Sequence, residues 1–210
     1  MIDAALLPLQ RQFLTPPARA LVALGLRADQ ITLAGFGLGL LALPALAFGR
    51  YEVALVLILL NRLADGLDGA VARLTTPTDR GAFLDVALDF LFYALMPLGF
   101  ALADPARNAL PAAVLICAFV GTGSSFLAFA VVAERRGLRA PDFPSKGLYY
   151  LGGLTEGAET IAVLAVVCLF PTAFAPVAYA FAAACALTTL TRWHMGWRAF
   201  APISKHSEPR

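Results

Sequence analysis

Six stretches of this chain run for about 20 mostly apolar residues, the length an α-helix needs to cross a hydrocarbon core. They cover roughly residues 31–48, 53–74, 81–102, 109–133, 147–170 and 173–193. Inside lipid every backbone donor and acceptor must be satisfied by the segment itself, so helices joined by short turns fit these lengths. Breakers stand at the joints: Gly49-Arg50 after the first stretch, "DPAR" after the third, and Pro171 between the last two. Composition agrees. The chain is 60% hydrophobic and 14% charged with a mean hydropathy of +0.75, too apolar for a soluble domain of 210 residues.

Ahead of the first stretch, "ALLPLQRQFLTPPARALVALGLR" mixes leucines with Arg11, Arg19 and Arg27. That pattern suits an amphipathic helix lying in the membrane interface, with Pro16-Pro17 expected to break it. The expected fold is therefore all-α, a polytopic membrane protein of six transmembrane helices preceded by an N-terminal interfacial amphipathic helix. Its divisions are an interfacial segment at 1–30, a membrane domain at 31–200 and a cytoplasmic tail at 201–210. No internal repeat or long linker is visible, and the acidic Asp3 near the start argues against a secretory leader. Cys117, Cys168 and Cys185 each sit in an apolar run and read as packing residues rather than disulfide partners or zinc ligands. Nearly all cations outside the stretches fall on the side of the N-terminus, Arg50 and Arg107 being the exceptions. The positive-inside rule then places both termini in the cytoplasm of a protein integral to the inner or cell membrane.

Against this background "DGLDGAVARLTTPTDRGAFLDVALD" is anomalous: Asp65, Asp68, Asp79, Asp85 and Asp89 fall within 25 residues, flanked by apolar runs. Charges in membrane helices are costly unless paired or metal-bound. Asp65 and Asp68 are i,i+3 on one helix, while Gly81, Asp85 and Asp89 step by four along the next, so each set shares a face. Asp65 lies eight residues before Arg73 and Asp89 eight after Gly81, which sets both roughly 12 Å in from the connecting turn. The short connection predicts antiparallel neighbours, with Asp65 meeting Asp89 and Asp68 meeting Asp85. Four such anions need a counter-charge. Arg62 and Arg73 can supply part of it, and oxygen ligands in this number suit Mg²⁺, Mn²⁺ or Ca²⁺. The plainer alternatives are a buried ion-pair network without metal, or a calcium loop, which needs alternate rather than helical spacing.

The stretch resembles the signature of the CDP-alcohol phosphatidyltransferase family, D-x2-D-G-x2-A-R followed by G-x3-D-x3-D. Asp65, Asp68, Gly69, Ala72, Arg73, Gly81, Asp85 and Asp89 fill every fixed position. "LRADQITLAGFGLGLLA" is similar to the family's entry into its first membrane helix, with Ala28-Asp29 where Pro-Asn is frequent. The resemblance implies transfer of a phosphatidyl group from CDP-diacylglycerol to an alcohol with release of CMP. It implies two Mg²⁺ or Mn²⁺ ions on Asp65, Asp68, Asp85 and Asp89, with Asp89 also the general base. The CDP moiety would lie along Asp68, Gly69, Ala72, Arg73 and Gly81, with Thr32 a further candidate. A homodimer in contact with membrane lipids is expected, and no nucleic-acid partner. The residues suit these roles. Glycines admit a nucleotide close to backbone, and an arginine fork reads phosphate oxygens.

Other polar residues bear on the acceptor. Glu156 and Glu159, i,i+3 in "GGLTEGAETI", could bind a polyol or a cationic headgroup, or serve only as partners for Arg62 and as helix glue. "ERRGLRAPDFPSKG" reads as a lipid-facing basic loop. By analogy with relatives that take phosphorylated acceptors, Lys146 and Arg192 are the candidates for an anionic one. Trp193, His194 and Trp197 read as an interfacial belt. Gly35-x3-Gly39 suits close helix packing or a dimer face. The acceptor, a small alcohol, stays open. So do a transferase using a soluble CDP-alcohol and diacylglycerol, a membrane prenyltransferase and, in another class, a cation-coupled transporter.

Overall fold

The computed structural model describes residues 2–137 and 154–201. Among them the chain is helical throughout: α1 (Ile2–Ala23), α2 (Ala28–Ala47), α3 (Tyr51–Leu74), α4 (Asp79–Ala103), α5 (Pro105–Arg135), α6 (Gly157–Leu169), a 3-10 turn at Pro171–Ala173, and α7 (Phe174–Ala199). Four of these are long and apolar enough to cross a membrane: α2, α4, α5 and the last helix with its preceding turn, Pro171–Ala199. α3 is long enough, but its charged residues set it apart from those four. α6 has 13 residues. It is shorter than the 147–170 stretch expected from the sequence, whose first residues lie outside the described ones.

The expected breakers act where the backbone needs them. Gly25 and Gly49 take positive φ (77° and 70°) in the links either side of α2, a region closed to most side chains. Asp104 caps α5 by accepting from Arg107 N–H at 3.2 Å, with Pro105 in the first turn, where its missing donor costs nothing. One expectation fails: Pro16-Pro17 do not break α1, which runs through them. Leu14, Ala18 and Leu21 pack with Ala70 and Val71 of α3. The carbonyls that lose a donor belong to Gln12 and Phe13, both exposed. Packing on one side and exposure on the other hold the helix together.

Small residues set the helix spacing. A Cβ on Gly35 would come 2.5 Å from Ala64 Cβ, and one on Gly39 2.8 Å from the Phe92 ring. The Gly35-x3-Gly39 face is thus used inside the chain, seating α2 against α3 and α4. Gly99 does the same for Leu46, and Gly123 for Phe90. In lipid, where apolar contact brings no hydrophobic gain, such close approach is what holds helices together. A core of Leu46, Ile58, Phe92, Met96 and Phe100 begins one turn from the acids and runs away from them, with Phe100 stacked on Phe174 at 4.4 Å. Cys168 and Cys185 are buried, Cys117 exposed, and all three are free.

α2 packs closely on both α3 and α4, whereas α3 and α4 are not themselves a closely packed pair. This corrects the expectation of an adjacent hairpin. The two acid-bearing helices face each other across a gap that α2 backs, and the gap is the site.

Candidate functional site

The helix ends at residues 75–78 aim the acids. Thr78 caps α4, accepting from Gly81 N–H at 3.0 Å, and α3 closes on Thr75 with its N–H on Val71 O. Two and three turns in from these ends, by helical periodicity, the carboxylate faces of α3 and α4 turn toward the gap. The cavity between them is lined by Thr32, Gly35 and Phe36 of α2, by Asn61, Arg62, Asp65 and Asp68 of α3, and by Asp85, Leu88 and Asp89 of α4.

Three of the four expected carboxylates converge. Asp65, Asp68 and Asp85 each offer an oxygen within 4.8 Å of the others, Asp68 buried and the other two half-buried. Hard oxygen donors at this separation are the set that Mg²⁺ or Mn²⁺ binds, so the residues fit such an ion. Thr32 Oγ1 donates to Asp68 Oδ2, fixing its rotamer from the neighbouring helix.

Asp89 lines the same cavity but is held differently. Its Oδ1 accepts from Arg62 Nη2 at 2.7 Å, and Arg62 Nη1 stands 3.7 Å from Asp65 Oδ2. The sequence paired Asp65 directly with Asp89; in the structure the Arg62 guanidinium contacts both, because two half-buried like charges at one depth need an opposite one. Asn61 accepts from Arg62 Nε and Nη2 (2.9 and 2.7 Å) and donates to Gly35 O (2.9 Å), while Tyr93 OH accepts from Arg62 Nη1 at 3.2 Å. Sequence reading missed Asn61 and Tyr93, though Asn61 falls on the Asp65 face four residues earlier and Tyr93 on the Asp89 face four residues later.

Of the residues expected along CDP, Thr32 and Asp68 line the cavity, whereas Gly69, Ala72, Arg73 and Gly81 are not among its lining residues. Gly69 is next to Arg73, whose Nη1 a Cβ at 69 would meet at 3.3 Å. Ala72 is half-buried and Arg73 exposed. A Cβ at Gly81 would meet Asp29 Oδ1 at 3.0 Å and Thr78 Oγ1 at 3.1 Å, so an added methyl group would have to displace one of those side chains. Asp29 also takes Arg80 Nε at 2.8 Å, tying the start of α2 to that of α4.

The acceptor candidates divide. Glu156 is the N-cap of α6 rather than a residue of its interior. Glu159 Oε2 accepts from Glu156 N–H at 3.2 Å, and the Glu156 side chain accepts from the backbone of residue 159 in return. The pair thus forms a capping box, and neither lines the carboxylate cavity. Arg192 is buried on α7, donating from Nη1 to Thr122 O at 3.0 Å with its guanidinium 5.8 Å from the Phe126 ring, and it too lies outside that cavity. Lys146 lies outside the described residues. Trp193, His194 and Trp197 are exposed, as a belt would be.

Comparison with known proteins converges on one group. The family model described as CDP-alcohol phosphatidyltransferase matches residues 26–191. The chain is similar to inner membrane protein YnjF of Escherichia coli, with 53% identity over 98% of this chain and 100% of that one. It is also similar to archaetidylinositol phosphate synthase of Pyrococcus horikoshii, 33% identical over 48% of this chain and 54% of the relative. In structure it resembles phosphatidylinositol phosphate synthase of Mycobacterium tuberculosis in complex with manganese and citrate, at 26% identity and a TM-score of 0.68. That match covers 91% of this chain and 93% of that one. The form of that synthase with CDP-DAG bound also has a TM-score of 0.68, at 24% identity and with coverage of 95% and 100%.

Proposed function

The chain belongs to the CDP-alcohol phosphatidyltransferase family, and from that premise we propose that it is an integral membrane enzyme making phospholipid. It moves a phosphatidyl group from CDP-diacylglycerol to the hydroxyl of a small alcohol and releases CMP. The observation that carries this reading is the convergence of Asp65, Asp68 and Asp85 in a cavity that Asp89 also lines. Support comes from the complete motif, and from relatives whose names record manganese and CDP-DAG.

Asp65, Asp68, Asp85 and Asp89 would hold two Mg²⁺ or Mn²⁺ ions, which when bound neutralise pyrophosphate oxygens and charge developing on the leaving CMP. The acceptor oxygen forms a bond to the phosphatidyl phosphorus as the bond from that phosphorus to the CMP oxygen breaks, the electron pair leaving with CMP. Asp89 takes the hydroxyl proton. Gly69, Ala72 and Gly81 let the nucleotide lie close to backbone, and the exposed Arg73 offers a fork of donors to it. Thr32 acts through Asp68. The depth suits a donor whose tails stay in lipid while its headgroup reaches the acids from water.

The membrane reading counts α3 and the shorter α6 with the four apolar helices to reach six, with α1 in the interface and both termini and the site cytoplasmic. The strong cation asymmetry supports that orientation. A homodimer remains part of the proposal.

Two observations favour a phosphorylated acceptor over a cationic one. Glu156 and Glu159, the acids that would draw a cationic headgroup, are engaged in the α6 cap and lie outside the carboxylate cavity. Both inositol-related relatives carry "phosphate synthase" in their names. Purified protein in detergent, supplied with labelled CDP-diacylglycerol, Mn²⁺ or Mg²⁺ and a panel of phosphorylated and unphosphorylated alcohols, tests this. CMP release is expected with at least one phosphorylated alcohol. Release only with diacylglycerol and a soluble CDP-alcohol would reassign the donor, and cation flux in liposomes without CMP release would reassign the class.

A further inference from the structure

Arg62 stands outside the family motif and yet lies between its carboxylates. It lines the cavity, its side chain is 14% exposed, and it is fastened from two helices while its neighbour Asn61 is anchored to a third. Nη2 bonds Asp89 at 2.7 Å, Nε and Nη2 bond Asn61, Nη1 bonds Tyr93, and the guanidinium lies 4.7 Å from the Phe92 ring centre. Asn61 in turn donates to Gly35 O on α2. A planar fork can make all these contacts at once, whereas an ammonium cannot.

We propose that Arg62 is a positioning residue and built-in counter-ion of the cavity, steering Asp89 while restraining the cavity's hold on divalent cations. The proposal rests on the metal-dependent reading above. Two consequences follow from the geometry, and they oppose each other. The bond to Oδ1 fixes where the Asp89 carboxylate sits, so losing it lets the side chain swing away from a reacting hydroxyl. The positive charge beside Asp65 and Asp89 repels any divalent ion approaching those oxygens, so losing it strengthens ion binding. A residue that only packed would weaken both properties or neither.

The test uses the full-length protein in detergent, with Mn²⁺ alone as the binding probe, followed by electron paramagnetic resonance or calorimetry, and CMP release measured separately. R62Q is expected to bind Mn²⁺ about tenfold more tightly, because one unit charge has been removed a few ångströms away. Its kcat should nevertheless fall about tenfold or more, with the KM for CDP-diacylglycerol changed far less. R62K should keep Mn²⁺ affinity within about twofold of wild type but still turn over slowly, since it cannot reproduce the fork. R62Q binding Mn²⁺ no more tightly than wild type overturns the proposal. Should R62Q not fold, R62K decides: reduced turnover at unchanged affinity upholds the proposal, and wild-type turnover overturns it. Wild-type protein that binds no Mn²⁺ contradicts the metal-site reading itself, which is a different failure.

Discussion

Thr32 on α2 donates its hydroxyl hydrogen to Asp68 on α3, so a residue outside the two acid-bearing helices sets the rotamer of a carboxylate in the site. Asp68 is the most buried of the three convergent acids. Thr32→Val keeps the shape and removes the hydroxyl. Hydrogen bonds to charged groups contribute about 1.5–3 kcal/mol, so CMP release should fall at least about tenfold. Thermal stability in detergent should fall as well, since the same bond is lost from the folded protein, and Thr32→Ser should restore most of both.

Asp89 is the proposed base, and Asp89→Asn keeps its size while removing its proton affinity. Positioned bases contribute about 10²–10⁴-fold, and CMP release should drop by that order. Circular dichroism should show an intact helical protein. Near-normal turnover would move the base elsewhere.

Gly35 lines the cavity and touches Ala64 so closely that an added Cβ would stand 2.5 Å from the Ala64 Cβ. Gly35→Ala should therefore push α2 off α3, costing about 1–3 kcal/mol as overpacking does and lowering the melting temperature. The double variant Gly35→Ala, Ala64→Gly exchanges which side carries the methyl group. It should recover much of the lost stability and activity, because the interhelical distance is restored.

Glu159→Ala separates the two readings of the α6 acids. If the pair only caps the helix, the variant loses about 1 kcal/mol of stability and leaves the KM for the acceptor alone. A rise in acceptor KM at unchanged stability would return Glu159 to the acceptor pocket.

The acid faces are legible in the sequence because helical spacing alone puts Asp65 with Asp68 and Asp85 with Asp89. The motif then names the chemistry. How the faces are held apart is not legible there. A four-residue link between α3 and α4 suggests direct neighbours, yet the glycines at 35 and 39 let α2 pack against both helices and back the gap. No local pattern distinguishes a glycine that admits a neighbouring helix from one that is merely tolerated in lipid. Arg62 is legible as a counter-charge but its choice of Asp89 is not, since that depends on Asn61 and Tyr93 fixing the guanidinium. The N-terminal prolines mislead for the converse reason: propensity favours a break, and packing of Ala18 against α3 overrides it.

The most direct measurement is CMP release from labelled CDP-diacylglycerol by purified wild-type protein and Asp68→Asn, each with Mn²⁺ and with chelator. Release that requires the metal ion and disappears in Asp68→Asn is the predicted result. Release that survives chelation, or that Asp68→Asn sustains at the wild-type rate, would contradict the account.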